Sequence, residues 1–303
     1  MSIQQVEAVE VAIESIESGS RASEVWYRVR HNPSAIFGMA MIALFVLVAV
    51  LAPVLAPYAP NDNQWFDEIL PGRVPGPRAE NLLGTDTLGR DEFSRLVYGA
   101  RYSLVIGVVS MAMGAAAGLV IGGLAGAFGG WVDNVLMRLM DIMLSVPGLL
   151  LAIGVAALLG RSLFTVMLAV AVVNVPAFAR LLRGSMLAQR ESDYVVAARS
   201  IGLKRSRIVL RHIIPNSVAP VIVQGTLALA TAIVDAAGLA FLGLGSEDPG
   251  IPEWGRMLAE NQNVLATAPQ LVLFPGLAIL ISVLGFNLLG EALREALDPK
   301  LRR

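Results

Sequence analysis

Residues 102–132 read YSLVIGVVSMAMGAAAGLVIGGLAGAFGGWV, a run that carries no charged side chain from end to end. About 20 apolar residues are enough for an α-helix to cross the roughly 30 Å hydrocarbon core of a bilayer. A chain in lipid must satisfy its own backbone hydrogen bonds, and a single segment can do so only as a helix. The stretch therefore predicts a membrane-spanning helix in a polytopic helical protein.

Other apolar runs lie on both sides of this stretch, and each is long enough to cross a bilayer or nearly so. They are 32–61, 142–160, 162–179, 213–234 and 261–290. Arg161 alone separates the second and third of these runs, which predicts a tight helical hairpin. We therefore predict an all-α integral membrane protein with about six transmembrane helices.

The composition agrees with lipid as the main solvent. Of 303 residues, 55% are hydrophobic and only 16% are charged, and the mean hydropathy is +0.66. Soluble domains contain about 25% charged residues. The net charge of −1 gives no basic surface for a nucleic-acid partner, and cysteine is absent. Since the two histidines lie far apart in the chain, no metal site is expected. No cofactor is expected in this chain either.

Basic residues predict the orientation of the spans. They are concentrated next to the first span, between the fourth and fifth spans, and at the C-terminus, whereas 58–101 balances its arginines with acids. By the positive-inside rule, both termini are predicted to lie in the cytoplasm. The resulting division of the chain is a cytoplasmic tail at 1–35, a first span at 36–57, an extracytoplasmic segment at 58–101, a transmembrane core at 102–297 with a cytoplasmic loop at 190–212, and a cytoplasmic tail at 298–303.

The N-terminal tail has a helical repeat of its own. Val6, Val9, Ile13 and Ile16 recur at intervals of three and four residues, with glutamates in the same rhythm beside them. This pattern predicts a short amphipathic helix with an acidic flank. It leaves open whether that helix docks on a cytoplasmic partner or is solvated.

The second span contains a row of small residues. Glycine recurs at every fourth position from Gly114 to Gly130. Such rows let helix backbones approach closely. Because four residues turn a helix by roughly 400°, the row drifts around the axis. We therefore expect it to serve several neighbouring helices rather than one straight partner along its whole length.

The cytoplasmic loop contains ESDYVVAARSIGLKRSRIVLRHIIPN at 191–216. Ser192 is suited to cap a helix start, and Gly202 to end the helix in the left-handed conformation. A short, blunt helix is therefore predicted between them, exposed in the cytoplasm and shaped to enter a cleft on a partner. Ser206 is expected to cap a second helix, and Pro215 to kink it.

This loop resembles the EAA loop of ABC importer permeases. Ala197, Ala198, Gly202 and Pro215 match the pattern, whereas Val196 replaces its glutamate and His212 its isoleucine. The peptide and nickel branch departs in the same way. The resemblance implies that the helix docks on an ATPase subunit through Asp193, Tyr194, Ala197, Ala198, Arg199, Ile201, Gly202, Lys204 and Arg205. It assigns the end of the loop and its kink to His212, Pro215 and Asn216.

Three other stretches resemble C-type dipeptide/oligopeptide permeases: 83–101, 138–147 and 238–245, the last with Ala240 in place of the usual serine. The first implies an ordered extracytoplasmic scaffold near the binding-protein dock, although its glycine turns also fit a solvated loop. The scaffold residues would be Gly84, Thr85, Asp86, Gly89, Arg90 and Asp91.

Three charged residues lie within or beside the predicted spans. Arg138 and Asp141 are three apart on one helical face, which favours an ion pair near the headgroups, with a gate or interface pair as the alternative. Asp235 stands where the family usually has glutamate, and its position favours a hydrogen bond between subunits. His212 is expected to be structural rather than a pH sensor.

The resemblance implies the C-type permease of a peptide importer in the cytoplasmic membrane of a prokaryote. Its partners would be a homologous B-type permease, two cytoplasmic ATPase subunits that hold ATP and magnesium, and an extracytoplasmic binding protein. This chain would not be an enzyme by itself. The alternatives are a secondary transporter or channel that works alone, or the same class of permease carrying nickel chelates or glutathione. Ion-coupling carboxylates and internal repeats would favour the secondary transporter.

Overall fold

A computed structural model describes residues 23–70 and 72–297. The amphipathic helix predicted around Val6 and Ile16, and the tail at 298–303, lie outside the described residues. The longer helices are α1 (Pro33–Leu55), α2 (Glu92–Phe128), α3 (Gly130–Ser145), α4 (Gly148–Leu159), α5 (Leu163–Arg190), α6 (Asp193–Ser200), α9 (Ala219–Phe241), α10 (Trp254–Asn261) and α11 (Gln270–Leu297), with short α7 (Arg205–Ile208) and α8 (Ile214–Ser217) between α6 and α9.

Five of these helices, α1, α2, α5, α9 and α11, are long and apolar enough to cross a membrane. The pair α3 and α4 together has the same character but bends by 93°. The prediction of about six spans in an all-α protein is therefore confirmed, with the bent pair counted as one span.

The helix predicted over 142–160 is in fact two helices. It breaks where Val146 and Pro147 adopt extended backbone angles, and Pro147 is the N-cap of α4. A residue before proline is disfavoured in the α conformation, and proline itself fits at a helix start. The expected unbroken helix was wrong, because Pro147 interrupts it.

Helix α2 begins ten residues before the apolar run that predicted it. The carboxylate of Asp91 caps the helix by accepting a hydrogen bond from the Ser94 amide at 2.7 Å. Arg95 and Arg101 then lie on the helix. The last part of the segment predicted as extracytoplasmic at 58–101 is therefore the first part of α2.

The glycine row of α2 packs against one helix, α5. A Cβ atom placed on Gly114 would lie 2.7 Å from the Ala171 carbonyl oxygen, and one on Gly122 would lie 2.3 Å from that of Ala179. On Gly126 it would lie 2.8 Å from the Met186 sulfur. From Gly114 to Gly126 the expectation of several partners was wrong, because α5 runs alongside α2 in the same direction. Gly130, the last glycine of the row, lies in α3, and a Cβ placed on it would have no atom within 4 Å.

The remaining spans close around this pair. Helix α1 crosses α11 where Gly38 faces Gly285, and a Cβ on Gly38 would lie 2.8 Å from the Gly285 carbonyl oxygen. Helix α9 packs between α2, α5 and α11. The buried indole of Trp254 lies against Gly99 and donates to the Leu96 carbonyl at 3.1 Å, which attaches α10 to the start of α2.

The bundle has two ends of different character. We name the scaffold end for the charged cluster around Arg90 and Glu260, beside the start of α2. We name the loop end for helix α6, beside the end of α2. The 37 residues of α2 connect these ends, a length of roughly 55 Å at the helical rise of 1.5 Å per residue.

Candidate functional site

Helix α6 is a short two-turn helix at the loop end. It starts after Ser192, which occupies the N-cap position, and is followed by Gly202 at φ +78°. The predicted stop at Gly202 is confirmed. The predicted side-chain cap is not, because the Ser192 hydroxyl donates to the Gln189 carbonyl of the preceding helix.

One face of α6 is buried within this chain. Val195 and Ala198 pack into an apolar cluster that includes Met186 of α5, Ile208 of α7 and Ile213. Ala198 was expected to contact a partner, and that assignment is wrong for its side chain. The cluster forms because the chain folds back after Gly202 and brings α7 beneath α6. That long-range contact is not visible in the sequence of the helix.

The opposite side of α6 is open. Most of the residues predicted to dock are exposed: Asp193, Tyr194, Ala197, Arg199, Ile201, Gly202 and Lys204. Ile201 is the extreme case, with 77% of its surface accessible, and Val196, absent from the predicted set, is 52% accessible. The helix thus presents apolar and charged side chains on a base that its own buried face holds in place.

Two arginines fasten the loop to the end of α2. Arg190 donates to the carbonyls of Gly126 and Ala127, and Arg205 donates to those of Ala127 and Phe128 at 2.7 and 3.0 Å. The last carbonyls of a helix have no amide partner within it, and cations are favoured there. Arg205 was predicted to contact a partner, but its guanidinium is engaged within the chain.

The chain runs from α7 into α9 through a π-helical stretch, the short α8 and a one-residue break at Val218. Lys204, not Ser206, is the N-cap of α7. A π-helical stretch at Val209–Ile213 precedes Pro215, and the Ile214 amide donates to the Val209 carbonyl. Proline has no N–H, and the wider π turn adjusts the bonding pattern at that point. A π bulge therefore lies directly before Pro215, and the predicted kink at that residue stays a prediction.

The two polar residues assigned to the end of the loop lie beside this bulge. The ring of His212 lies 6.5 Å from that of Tyr194, measured between centroids. Asn216 donates to the His212 carbonyl at 2.8 Å. Both contacts are local, and their part in coupling stays a prediction.

At the scaffold end, buried charges form a closed network centred on Glu260. Arg90 and Arg95 donate to Glu260 at 2.6 and 2.9 Å, and Arg256 donates to its other carboxylate oxygen at 2.7 Å. Arg90 also pairs with Asp86 at 2.6 Å. These contacts join the segment that leads into α2 to helix α10, which is 165 residues further along the chain.

The predicted scaffold residues are all buried, so the alternative of a solvated loop is wrong. Gly84 and Gly89 have φ of +81° and +72°. A Cβ on Gly89 would lie 2.4 Å from the Phe66 amide nitrogen, so the turn requires glycine. Thr85 and Asp91 form an isolated β-bridge across the turn. The segment is an ordered scaffold, and its nearness to a binding-protein dock stays a prediction.

Glu253, which precedes α10, and Glu260 within it have shifted pKa values. Burial alone would raise the pKa of Glu260, but Arg95, Arg90 and Arg256 together hold it below its ordinary value. Burial raises the pKa of Glu253 to about 7, although Arg256 opposes the shift. Neither carboxylate oxygen of Glu253 has a hydrogen-bond partner among the described residues. Glu253 is therefore neutral over part of the range in which Glu260 is charged.

The charged residues of the bent pair have partners other than the expected ones. Asp141 pairs with Arg180 of α5 rather than with Arg138. Asp133 accepts a bidentate pair of hydrogen bonds from the Arg183 guanidinium, at 3.0 and 2.6 Å. The expected pair within α3 was wrong because α5 supplies closer cations. Asp235 is half-buried in α9 and forms no hydrogen bond or ion pair with the described residues. Its role between subunits stays a prediction.

Some residues that build these two ends were missed. Val195, Arg190 and Glu260 lie outside every predicted set, yet each holds a segment in place. Val195 lies three residues before Ala198, so a helical repeat gave a signal for it. Glu260 and Arg190 gave none, because their partners are distant in sequence.

Two family models match the chain. Residues 118–303 match the binding-protein-dependent transport system inner membrane component, and residues 20–71 match the N-terminal TM domain of oligopeptide transport permease C. The first match covers more than half of the chain.

Relatives of similar length match over nearly the whole chain. The dipeptide transport system permease protein DppC of Alkalihalophilus pseudofirmus is 44% identical over 92% of this chain and 90% of its own. The di/tripeptide permease DppC of Pseudomonas aeruginosa is 45% identical over 93% of each chain. The glutathione permease GsiD of Escherichia coli is 43% identical over 92% of this chain and 90% of its own.

Solved structures share the fold. An inward-facing form of the MetNI methionine ABC transporter superposes with a TM-score of 0.56 at 19% identity, over 67% of this chain and 97% of that one. An amino acid ABC transporter gives 0.52 at 15% identity, over 66% and 92%. The chain therefore belongs to the family of binding-protein-dependent transport system inner membrane components, and within it to the C-type dipeptide/oligopeptide permeases of bacterial inner membranes.

Proposed function

We propose that the chain is one half of the membrane channel of a peptide importer, driven by ATP hydrolysis in other subunits. A homologous B-type permease would form the second half, and an extracytoplasmic binding protein would deliver the peptide. Two ATPase subunits would hold ATP and magnesium, while this chain supplies no covalent chemistry and no cofactor site. Closure of the ATPases would rock the spans between outward-facing and inward-facing states.

The observation that carries this proposal is the construction of α6. A two-turn helix leaves Tyr194, Val196 and Ile201 exposed while its buried face fixes its position on α5 and α7. In a soluble region of a protein, exposed apolar side chains on a rigid base are typical of an interface. The basic residues around it support a cytoplasmic position for this end by the positive-inside rule, on the side where ATP is available.

Peptide cargo is supported by the relatives, whose names refer to dipeptides, di/tripeptides and glutathione. These molecules share a peptide bond and free charged groups. We propose small peptides as the cargo, with glutathione, itself a tripeptide, as the second candidate. Uptake of a labelled dipeptide, with unlabelled glutathione as competitor, decides between them: weak competition supports the dipeptide assignment, and strong competition supports glutathione.

The docking proposal is tested with the complete assembly in proteoliposomes. Ile201→Asp places a charge in the proposed interface, and Leu88→Asp places the same charge on an exposed leucine at the scaffold end. We expect only Ile201→Asp to reduce the amount of ATPase subunit that purifies with the permease. Deleting 194–202 should abolish ATP-dependent peptide uptake. The proposal is wrong if the deletion leaves uptake coupled to ATP hydrolysis.

A further inference from the structure

The loop between α5 and α7 is attached at both of its ends to one place, the last turn of α2. Arg190 is the final residue of α5 and Arg205 the first of α7, so α6 lies between them in the chain. Their guanidinium groups share the carbonyls of Gly126, Ala127 and Phe128. We define this arrangement of two arginines and three carbonyls as the arginine joint.

The joint uses groups that the helix cannot satisfy itself. The Gly129 amide donates to the Ala125 carbonyl at 3.0 Å and closes the helix, which leaves the next three carbonyls without an amide of the helix. Hydrogen bonds from charged donors are roughly twice as strong as neutral ones. Each arginine reaches two of the three carbonyls, so a force on α6 is applied to the end of α2 from both sides of the loop.

Helix α2 continues from this joint to the other end of the molecule. Between them it is held along α5 by the glycine row, with backbone contacts at Gly114, Gly118 and Gly122. Near its start, Arg95 pairs with Asp86 at 3.2 Å and with Glu260 at 2.9 Å. A single rigid element therefore connects the proposed ATPase dock to the charged network of the scaffold end.

We propose that Arg190 and Arg205 are positioning residues that transmit movement of α6 to α2, and through α2 to the scaffold end. They act on the spans and not on the ATPase itself. This inference rests on the proposed function, because it assumes that a partner moves α6.

The test compares Arg190→Gln/Arg205→Gln with Arg207→Gln in the reconstituted importer. Arg207 lies on the same short helix and forms no hydrogen bond or ion pair with the described residues, so it is a matched control. We expect the double variant to keep its ATPase subunits and their ATP hydrolysis but to lose about tenfold in peptide uptake per ATP, within the usual range of coupling between sites. Lysine at both positions, which retains charge and a donor, should restore part of the uptake.

A distance measurement separates transmission from simple stability. The chain has no cysteine, so Ser200→Cys on α6 and Leu124→Cys on α2 allow site-specific spin labels. With the joint intact, the distance between the labels should stay constant between the nucleotide-free and ATP-bound states. In the double variant it should change, because α6 then moves without α2.

Several outcomes would overturn the inference. Normal uptake by the double variant, loss of ATPase subunits from it, or a label distance that changes in the intact joint would each contradict transmission through these arginines. If the double variant does not fold, Arg205→Gln alone is judged by the same measurements, since its side chain is exposed. Failure of the unmodified permease to bind any ATPase would instead contradict the proposed function.

Discussion

The two ends of the bundle use arginine in opposite ways. At the scaffold end, Arg90, Arg95 and Arg256 are buried or nearly so and converge on the carboxylate of Glu260. At the loop end, Arg190 and Arg205 bind backbone carbonyls and leave the neighbouring helix α6 uncovered. The first arrangement satisfies its charges within the chain. The second leaves the surface of α6 open.

Removing the centre of the scaffold network should have the largest effect on stability. Glu260→Ala leaves three arginines without their shared carboxylate, and breaking a buried ion pair by deleting one partner typically costs about 3 to 5 kcal/mol. We expect a large fall in the melting temperature of the purified chain in detergent. Glu247→Ala removes an exposed glutamate that lines one cavity together with Arg256 and Glu260, and it should change little. Equal effects of the two variants would contradict a closed network.

Glu253 should make the scaffold end sensitive to pH. Its pKa is raised to about 7 in the folded protein, so between about pH 4.5 and 7 the folded state holds a proton that the unfolded state releases. The contribution of Glu253 to the free energy of unfolding therefore falls as pH rises through that window. The total fall is about 3 kcal/mol, at 1.36 kcal/mol for each unit by which the pKa is shifted.

Glu253→Gln removes this titration. We expect the variant to melt at the temperature of the unmodified chain near pH 5 and above it near pH 8. Measurements stay above pH 5 because Glu260, whose pKa is depressed, has the opposite sign and loses its contribution in acid. Parallel melting profiles of the two proteins against pH would contradict a buried, ionisable Glu253.

The glycine row of α2, with the face of α5 packed against it, forms a seam that connects the two ends. Two neighbouring glycines of α2 should respond differently to replacement: Gly122 faces the seam, and Gly123 does not. Gly122→Ala places a Cβ 2.3 Å from the Ala179 carbonyl oxygen, so the backbones must separate at a cost of about 1 to 3 kcal/mol. In Gly123→Ala the nearest atom, a Leu182 methyl carbon, is 3.8 Å away. That variant should gain up to about 1 kcal/mol from helix propensity. Thermal unfolding that shifts in the same direction for both variants would contradict the seam.

The smallest effect on stability is expected at the loop end. Ile201→Ser changes a side chain that is mostly exposed, so the free energy of unfolding should stay within about 0.5 kcal/mol of its original value. The same change should weaken ATPase binding, measured by co-purification. A clear loss of stability would mean that α6 is packed within this chain rather than open to a partner.

The sequence predicted the spans better than the contacts between them. Apolar runs without charge are sufficient evidence for helices in lipid, and five helices and the bent pair correspond to the predicted runs. The boundaries failed where polar residues take part in a span, as at Arg95, because its charge is paired with Glu260 from another part of the chain. Pro147 gave a local signal of the break in the bent pair.

The loop was predicted in outline and incorrectly in detail. Gly202 ends the helix because only a left-handed residue fits there, which is a local rule. The burial of Ala198, the engagement of Arg205 and the pairing of Asp141 with Arg180 depend on which helices come together. That information is carried by tertiary packing, and no spacing within a single helix contains it.

The glycine seam has a consequence for how this protein can change during evolution. Each residue advances a helix by 100° of rotation, so one inserted residue between Gly114 and Gly126 would turn every later glycine away from α5. Branched side chains would then occupy positions where the backbones now touch. Substitutions on the lipid-facing side of α2 are compatible with the seam, whereas insertions and deletions within it are not. Length variation among relatives should therefore be confined to the segments that connect the spans.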